Sequence, residues 1–163
     1  MNGIYILLGS NMGNRLEYLR EAENLLIQQG IQVIDESSIY ETAPWGKENQ
    51  DWFLNVVLQI ETSKSPTELL KTILEVEQSL GRIRKEKWGE RCIDIDILYY
   101  HNEIMSTDEL NIPHPGIPTR KFTLIPLVEM CPMEVHPETN QTQMQLLAEC
   151  SDELDCNLTE YKL

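Results

Sequence analysis

No run of apolar residues in this 163-residue chain approaches the roughly 20 needed to cross a bilayer, so a membrane-spanning helix is excluded. Cysteine is present four times, at positions 92, 131, 150 and 156, yet no C-x-x-C pair occurs and no histidine stands at zinc-ligand spacing from any of them. Reduced thiols without metal chemistry are the expectation, and any bound metal should be held by oxygen. Positive charge is scarce: 13 Lys and Arg against 27 Asp and Glu leave a net charge of -14. That balance argues against general binding to nucleic acid or anionic membranes. The first residues, MNGIYILLGSN, lack a basic n-region and a small-residue cleavage site, and their alternation suits a strand, so a cytoplasmic protein is expected.

What remains is ordinary for a soluble protein, with 41% hydrophobic and 25% charged residues. The length suits one domain spanning residues 1–163, expected to be a monomer. The few cations are unevenly spread. Arg82, Arg84, Lys85, Lys87 and Arg91 fall within residues 82–91, and Arg120 and Lys121 form a second small group. A solvated loop and a pocket for a small polyanion such as a nucleotide triphosphate both fit that cluster.

Residues 3–9 read as a strand and 14–29 as an amphipathic helix closed by Gly30. A second strand is expected over 31–42, a loop over 43–51 and a third, alternating strand over 52–62. Ser65, Pro66 and Glu68 carry an N-cap, a first-position proline and a capping-box glutamate for a helix running to Leu80. The fourth strand is expected over 92–100, with a turn at 101–102 into a short hairpin with 103–105. Beyond a loop at 113–118, helices are expected over 119–130, kinked at Pro126, and 141–149, and the acidic tail from Glu149 reads as solvated surface. The order predicts an α+β, ferredoxin-like βαββαβ fold: a four-stranded antiparallel sheet, helices on one face, an active site on the other, and a C-terminal helical extension.

Alternation puts Ile93, Ile95 and Ile97 on one face of the fourth strand and Cys92, Asp94 and Asp96 on the other. Along the third strand it puts Trp52, Leu54, Val56, Leu58 and Ile60 in the core and turns Phe53, Asn55, Val57, Gln59 and Glu61 to the open face. Asp94 and Asp96 would project together with their Cα atoms roughly 7 Å apart. Two such carboxylates repel, and a divalent cation between them makes the pairing reasonable. Oxygen ligands with a polyphosphate partner suit magnesium. A pair of solvent-facing aspartates is the plainer alternative.

The stretch KWGERCIDIDIL, Lys87 to Leu98, resembles the signature of the 6-hydroxymethyl-7,8-dihydropterin pyrophosphokinase family, with supporting matches at Gly9-Ser10-Asn11, Thr42 to Gly46, Phe53-Leu54-Asn55, Gly81 to Arg84, Pro113-His114, Arg120 and Phe122. The resemblance implies transfer of diphosphate from ATP to the hydroxymethyl group of the pterin in folate biosynthesis, releasing AMP. By it, Asp94 and Asp96 are the ligands of two Mg2+ ions, and Arg82 and Arg91 act with them in catalysis. Leu70, Glu77, Arg84, Trp88, Arg91, Ile97, His114 and Arg120 are implied ATP contacts. Thr42, Ala43, Pro44, Trp45, Phe53, Asn55 and Phe122 are implied pterin contacts. Loops around 10–13, 43–51 and 82–91 are the implied closing elements. Ala43, Trp45 and Lys87 stand where members of the family often carry a proline, a smaller aliphatic residue and an arginine.

Two readings from other classes compete. An RNA-recognition module shares the strand and helix order but predicts aromatic pairs on the central strands and a basic surface, where this chain has Asp94, Asp96 and excess acid. A regulatory domain that binds nucleotide without turnover would form no AMP.

Overall fold

The computed structural model describes residues 2–46, 50–82 and 91–163. The chain opens with β1 (Ile4–Ser10), buried along its whole length, and turns into α1 (Arg15–Gln28). Asn14 caps that helix by accepting the Glu17 N–H at 3.3 Å, and Gly30 follows it with φ +81°, a left-handed conformation glycine takes without strain. The expected second strand divides into β2 (Gln32–Glu36) and β3 (Tyr40–Thr42), both paired with β4 (Phe53–Glu61). At the break the Ser37 hydroxyl accepts the Val57 N–H at 2.9 Å, standing in for a backbone carbonyl. Glu129 then draws Ser38 outward through its N–H and hydroxyl.

Helix α2 (Pro66–Ser79) has the anticipated capping box: Ser65 and Glu68 each accept the other's backbone N–H. Next come β5 (Asp94–Tyr100), the two-residue pair β6 (Met105–Ser106) and β7 (Asn111–Ile112), and a 3-10 turn (Ile117–Thr119). The last elements are α3 (Lys121–Met130), α4 (Gln143–Glu149) and β8 (Cys156–Leu158). The turn at His101 forms, with φ 51°, but β6 pairs with β7 and not with β5 as a hairpin. No helix among the described residues is long and apolar enough to cross a membrane.

The main sheet is antiparallel in every pairing and runs β5-β1-β4-β3-β8, with β2 also on β4. It therefore has six strands where four were expected. One of the two added strands comes from the division of the second; the other is the acidic tail, which is not free surface: β8 pairs with β3, and Thr159 donates its N–H and hydroxyl to the Ile39 carbonyl.

Helices α1 and α2 cover one face through Leu19, Leu26, Leu69 and Ile73 against Ile6, Leu8, Val56 and Ile95. The other face is not uncovered as anticipated. Tyr5, Leu7, Val57, Leu98 and Tyr99 form a second core with Leu124 and Leu127 of α3 and Leu146 of α4. A bulge makes this possible: the register of β1 on β5 slips between Tyr5 and Ile6, so Leu98 and Tyr99 both join the second core. Two parity assignments also fail at strand ends, where alternation no longer governs. Trp52 precedes β4 and is 36% exposed rather than core. Cys92 precedes β5 and packs in the α1/α2 core, its thiol donating to the Leu80 carbonyl at 3.4 Å.

Candidate active site

On the part of the second face that carries the two aspartates, register sets a row of side chains across four strands. Asp94 of β5 pairs with Gly9 of β1, Gly9 with Asn55 of β4, and Asn55 with Tyr40 of β3. Asp96 lies one pleat further along, paired with Leu7. Gly9 is required by this row, because a Cβ there would sit 2.6 Å from the Asn55 Oδ1. The Asn55 amide is fixed on its other side, donating to the Thr42 hydroxyl at 2.7 Å within the protein interior.

Arginines enclose Asp94. Arg82 reaches its Oδ1 at 2.6 Å and Arg91 its Oδ2, while Arg82 also pairs with Glu77. Glu77, only 3% exposed at the end of α2, accepts the Ile95 N–H at 2.8 Å, so one carboxylate locks helix, strand and arginine together. Asp96 is in a different state. Desolvation first, and the neighbouring Asp94 charge second, push its carboxyl up to about 7, against the opposing pull of Arg120 and Arg91.

The Arg120 guanidinium, close enough to Asp96 to pull on its carboxyl, stands 4.7 Å over the Trp45 ring and 5.9 Å over Phe122. The Arg120 Nε is buried with no hydrogen-bond partner among the described residues. Phe53 neighbours Gly9 on the same face as Asn55, and Thr42 and Ala43 are tied to the tail, Ala43 donating its N–H to the Asp155 carbonyl at 3.0 Å. Pro44 follows in the same loop. His114 accepts the Gly116 N–H on Nδ1 at 3.0 Å, and burial, helped by Arg120, lowers its pKa to about 4, so it is neutral at physiological pH.

The structure thus gathers Arg82, Arg91, Asp94 and Asp96 at one end of the row, places Asn55 with Thr42 further along it, and brings Trp45 and Phe122 together around Arg120, which also faces Asp96. Leu70 packs half-buried on the α1/α2 core, and Ile97 is 3% exposed within it, on the side of β5 opposite the aspartates. Arg84 and Trp88 lie outside the described residues, as does most of the basic loop.

Asn11, read from the sequence only as part of the Gly9-Ser10-Asn11 match and of the 10–13 loop, has a positioning task which that reading did not name. It is 1% exposed, accepts the Arg91 N–H on its side chain at 2.8 Å and donates its own N–H to the Arg91 carbonyl at 3.2 Å. Its Nδ2 donates to the Asp51 carbonyl at 3.2 Å, so it joins the end of β1 to both flanking loops. The Gly-Ser-Asn triplet was the available signal, but its partners are 40 and 80 residues away.

Comparison with known proteins gives the family. The family model described as 7,8-dihydro-6-hydroxymethylpterin-pyrophosphokinase (HPPK) matches residues 5–132. A 2-amino-4-hydroxy-6-hydroxymethyldihydropteridine pyrophosphokinase of Bacillus subtilis is 48% identical over 133 residues, 80% of each chain. One of the same name from Aquifex aeolicus is 44% identical over 137 residues, 84% of this chain and 85% of its own. Among solved structures, wild-type Plasmodium falciparum HPPK-DHPS crystallised with pteroate superposes with a TM-score of 0.72 at 16% identity over 91% of this chain; this chain spans 44% of that longer one. That likeness concerns the fold. The family match over most of the chain, with relatives above 40% identity along four fifths of their length, shows that the chain belongs to the 7,8-dihydro-6-hydroxymethylpterin-pyrophosphokinase family.

Proposed function

We propose that the protein transfers the β,γ-diphosphate of ATP to the hydroxymethyl oxygen of 6-hydroxymethyl-7,8-dihydropterin, the folate-pathway reaction its family name carries. The bond from that oxygen to the β-phosphorus forms as the bond from the β-phosphorus to the bridging α,β-oxygen breaks. AMP leaves with the bridging oxygen, and the hydroxyl proton passes to solvent.

The observation that carries the reading is the row on one sheet face. Charge-handling groups, Asp94, Asp96, Arg82 and Arg91, stand at one end and a fixed amide with aromatic neighbours toward the other. Two oxygen donors, one of them forced toward neutrality by burial and then by the other's charge, suit a hard divalent cation better than they suit solvent. Magnesium, two ions on Asp94 and Asp96, would neutralise and orient the triphosphate when bound. Arg82 and Arg91 hold Asp94 in the ligand-free protein and are suited to exchange that carboxylate for phosphate oxygens, which fit the guanidinium fork equally well. Glu77 keeps Arg82 in place through the exchange. Asn55, with Thr42 behind it, reads the pterin edge, and Phe53, Trp45 and Phe122 offer it ring faces, beside Ala43 and Pro44. Arg120 and a neutral His114 accompany the nucleotide, with Leu70, Arg84, Trp88 and Arg91, while Glu77 acts through Arg82 and Ile97, its side chain buried in the α1/α2 core, contributes only main chain. No side chain is needed as general base, since positioning and electrostatics supply most of the catalysis in phosphoryl transfer.

The same reading treats β1, α1, β2 with β3, β4, α2 and β5 as a ferredoxin-like core extended by α3, α4 and β8, working as a single cytoplasmic domain over 1–163 and as a monomer. Its test is product analysis. ATP, Mg2+ and the hydroxymethyl pterin should give AMP in step with diphosphorylated pterin, and Asp94→Ala and Asp96→Ala should lose turnover by roughly a thousandfold with unchanged circular dichroism. ADP as product, or near-normal Mg2+-dependent turnover by Asp96→Ala, overturns it.

A further inference from the structure

We propose that the C-terminal segment 152–156 is a strap that fixes the spacing of the two walls of the pterin pocket, with Asp152 as its positioning residue. The inference rests on the reading of Thr42 to Trp45 and Arg120 to Phe122 as those walls. The segment lies beyond the stretch matched by the family model, which ends at residue 132.

The strap holds each wall by a separate contact. Cys156 pairs with Thr42, and the Asp155 carbonyl accepts the Ala43 N–H at 3.0 Å. On the other side, α3 begins without a cap of its own, since the Arg120 side chain makes no capping bond. Asp152 supplies it, accepting the Lys121 N–H on Oδ2 at 2.9 Å. A carboxylate there also meets the positive end of the helix dipole. Its other oxygen, Oδ1, accepts the Leu154 N–H at 3.0 Å and so sets the carboxylate relative to Asp155. Three residue steps of chain separate the two attachments, a reach of about 10 Å even when extended. The Trp45 and Phe122 rings, both beside the Arg120 guanidinium, therefore sit on supports joined by one short tether. Loss of the Asp152 bond frees the first turn of α3, and with it Arg120 and Phe122, from the loop that carries Trp45.

Steady-state kinetics on full-length variants test this. Asp152→Ala should raise KM for the pterin about tenfold and KM for ATP, which shares Arg120, by no more than about threefold, with kcat within about twofold; Asp152→Asn, which keeps one of the two acceptor oxygens, should recover part of the loss. Thr142→Ala, which removes the equivalent cap from α4, should lower Tm comparably and leave pterin KM unchanged. An Asp152→Ala protein whose pterin KM is unchanged, or moves only as far as that of Thr142→Ala, overturns the strap and leaves a helix cap. Asn55→Ala and Phe122→Ala run alongside: if they raise pterin KM and Asp152→Ala does not, only the strap fails. If none of the three moves it, the pocket reading fails first.

Discussion

Asp96 occupies a place that an ionised carboxylate resists, with its charge desolvated and Asp94 two residues away on the same face. Its folded pKa, pushed up to about 7, lies above the ordinary 3.8. Between those values the native state holds a proton that the unfolded chain has released, so this group's stabilising contribution is present at low pH and is lost as the pH rises through 7. Asp96→Asn keeps the shape and removes the charge. In EDTA at pH 8 the variant should be more stable than the parent by about 1–3 kcal/mol, a gain that shrinks toward pH 4, while its turnover is lost. Urea denaturation at the two pH values measures this; a variant no more stable than the parent at pH 8 would show that the carboxylate is not under electrostatic strain. The pair is thus unfavourable to the apoprotein, which is why local sequence could reveal it. Nothing in packing calls for Asp-Ile-Asp in a strand otherwise buried, whereas Asn11, Gly9 and Asp152 look ordinary until partners far along the chain arrive.

Periodicity carried the elements that bury a continuous stripe. The capping box at Ser65 and Glu68 and the alternation of Leu54, Val56, Leu58 and Ile60 are local, and both stand in the structure. Alternation failed where backbone bonding yields to a side chain or a bulge. Ser37 divides β2 from β3 by using its hydroxyl as a strand carbonyl, Leu98 is the extra residue of β5, and Trp52 and Cys92 lie just outside the strands whose parity was extended over them. Strand β8 was illegible for another reason: Cys-Asn-Leu is only three residues long and buries no face, and its place comes from main-chain pairing with β3. Ser37 offers a test at this scale. Ser37→Ala leaves the Val57 N–H without its partner inside the sheet and should destabilise the protein by about 1–3 kcal/mol, while Ser63→Ala, at an exposed turn, should change it by less than about 0.5 kcal/mol. Equal effects in urea unfolding would show that the break in the strand does not depend on that hydroxyl.

For the molecule as a whole, a net charge of -14 must admit a polyanionic nucleotide, and the described arginines near the site are already engaged with carboxylates or aromatic rings. A cation alone would have to displace two guanidiniums from Asp94, and a triphosphate alone would have to take them while leaving Asp94 and Asp96 uncompensated. On the proposed function, ligands arriving together would each remove the other's obstacle, the arginines moving to phosphate as the carboxylates turn to metal. The two should therefore stabilise the fold more than additively. With Mg2+ and α,β-methylene-ATP, whose bond to be cleaved is blocked, both at about a hundredfold above their joint dissociation constants, the expected gain is about 2.7 kcal/mol, or a rise in Tm of roughly 5–10 °C. Either ligand alone at the same concentration should give less than a third of that shift. In Asp94→Ala the arginines lose their resting partner, so the nucleotide should stabilise without Mg2+ and the synergy should vanish. Full stabilisation of the parent protein by Mg2+ alone would mean that the carboxylates were never committed to the arginines, and the exchange would have to be abandoned.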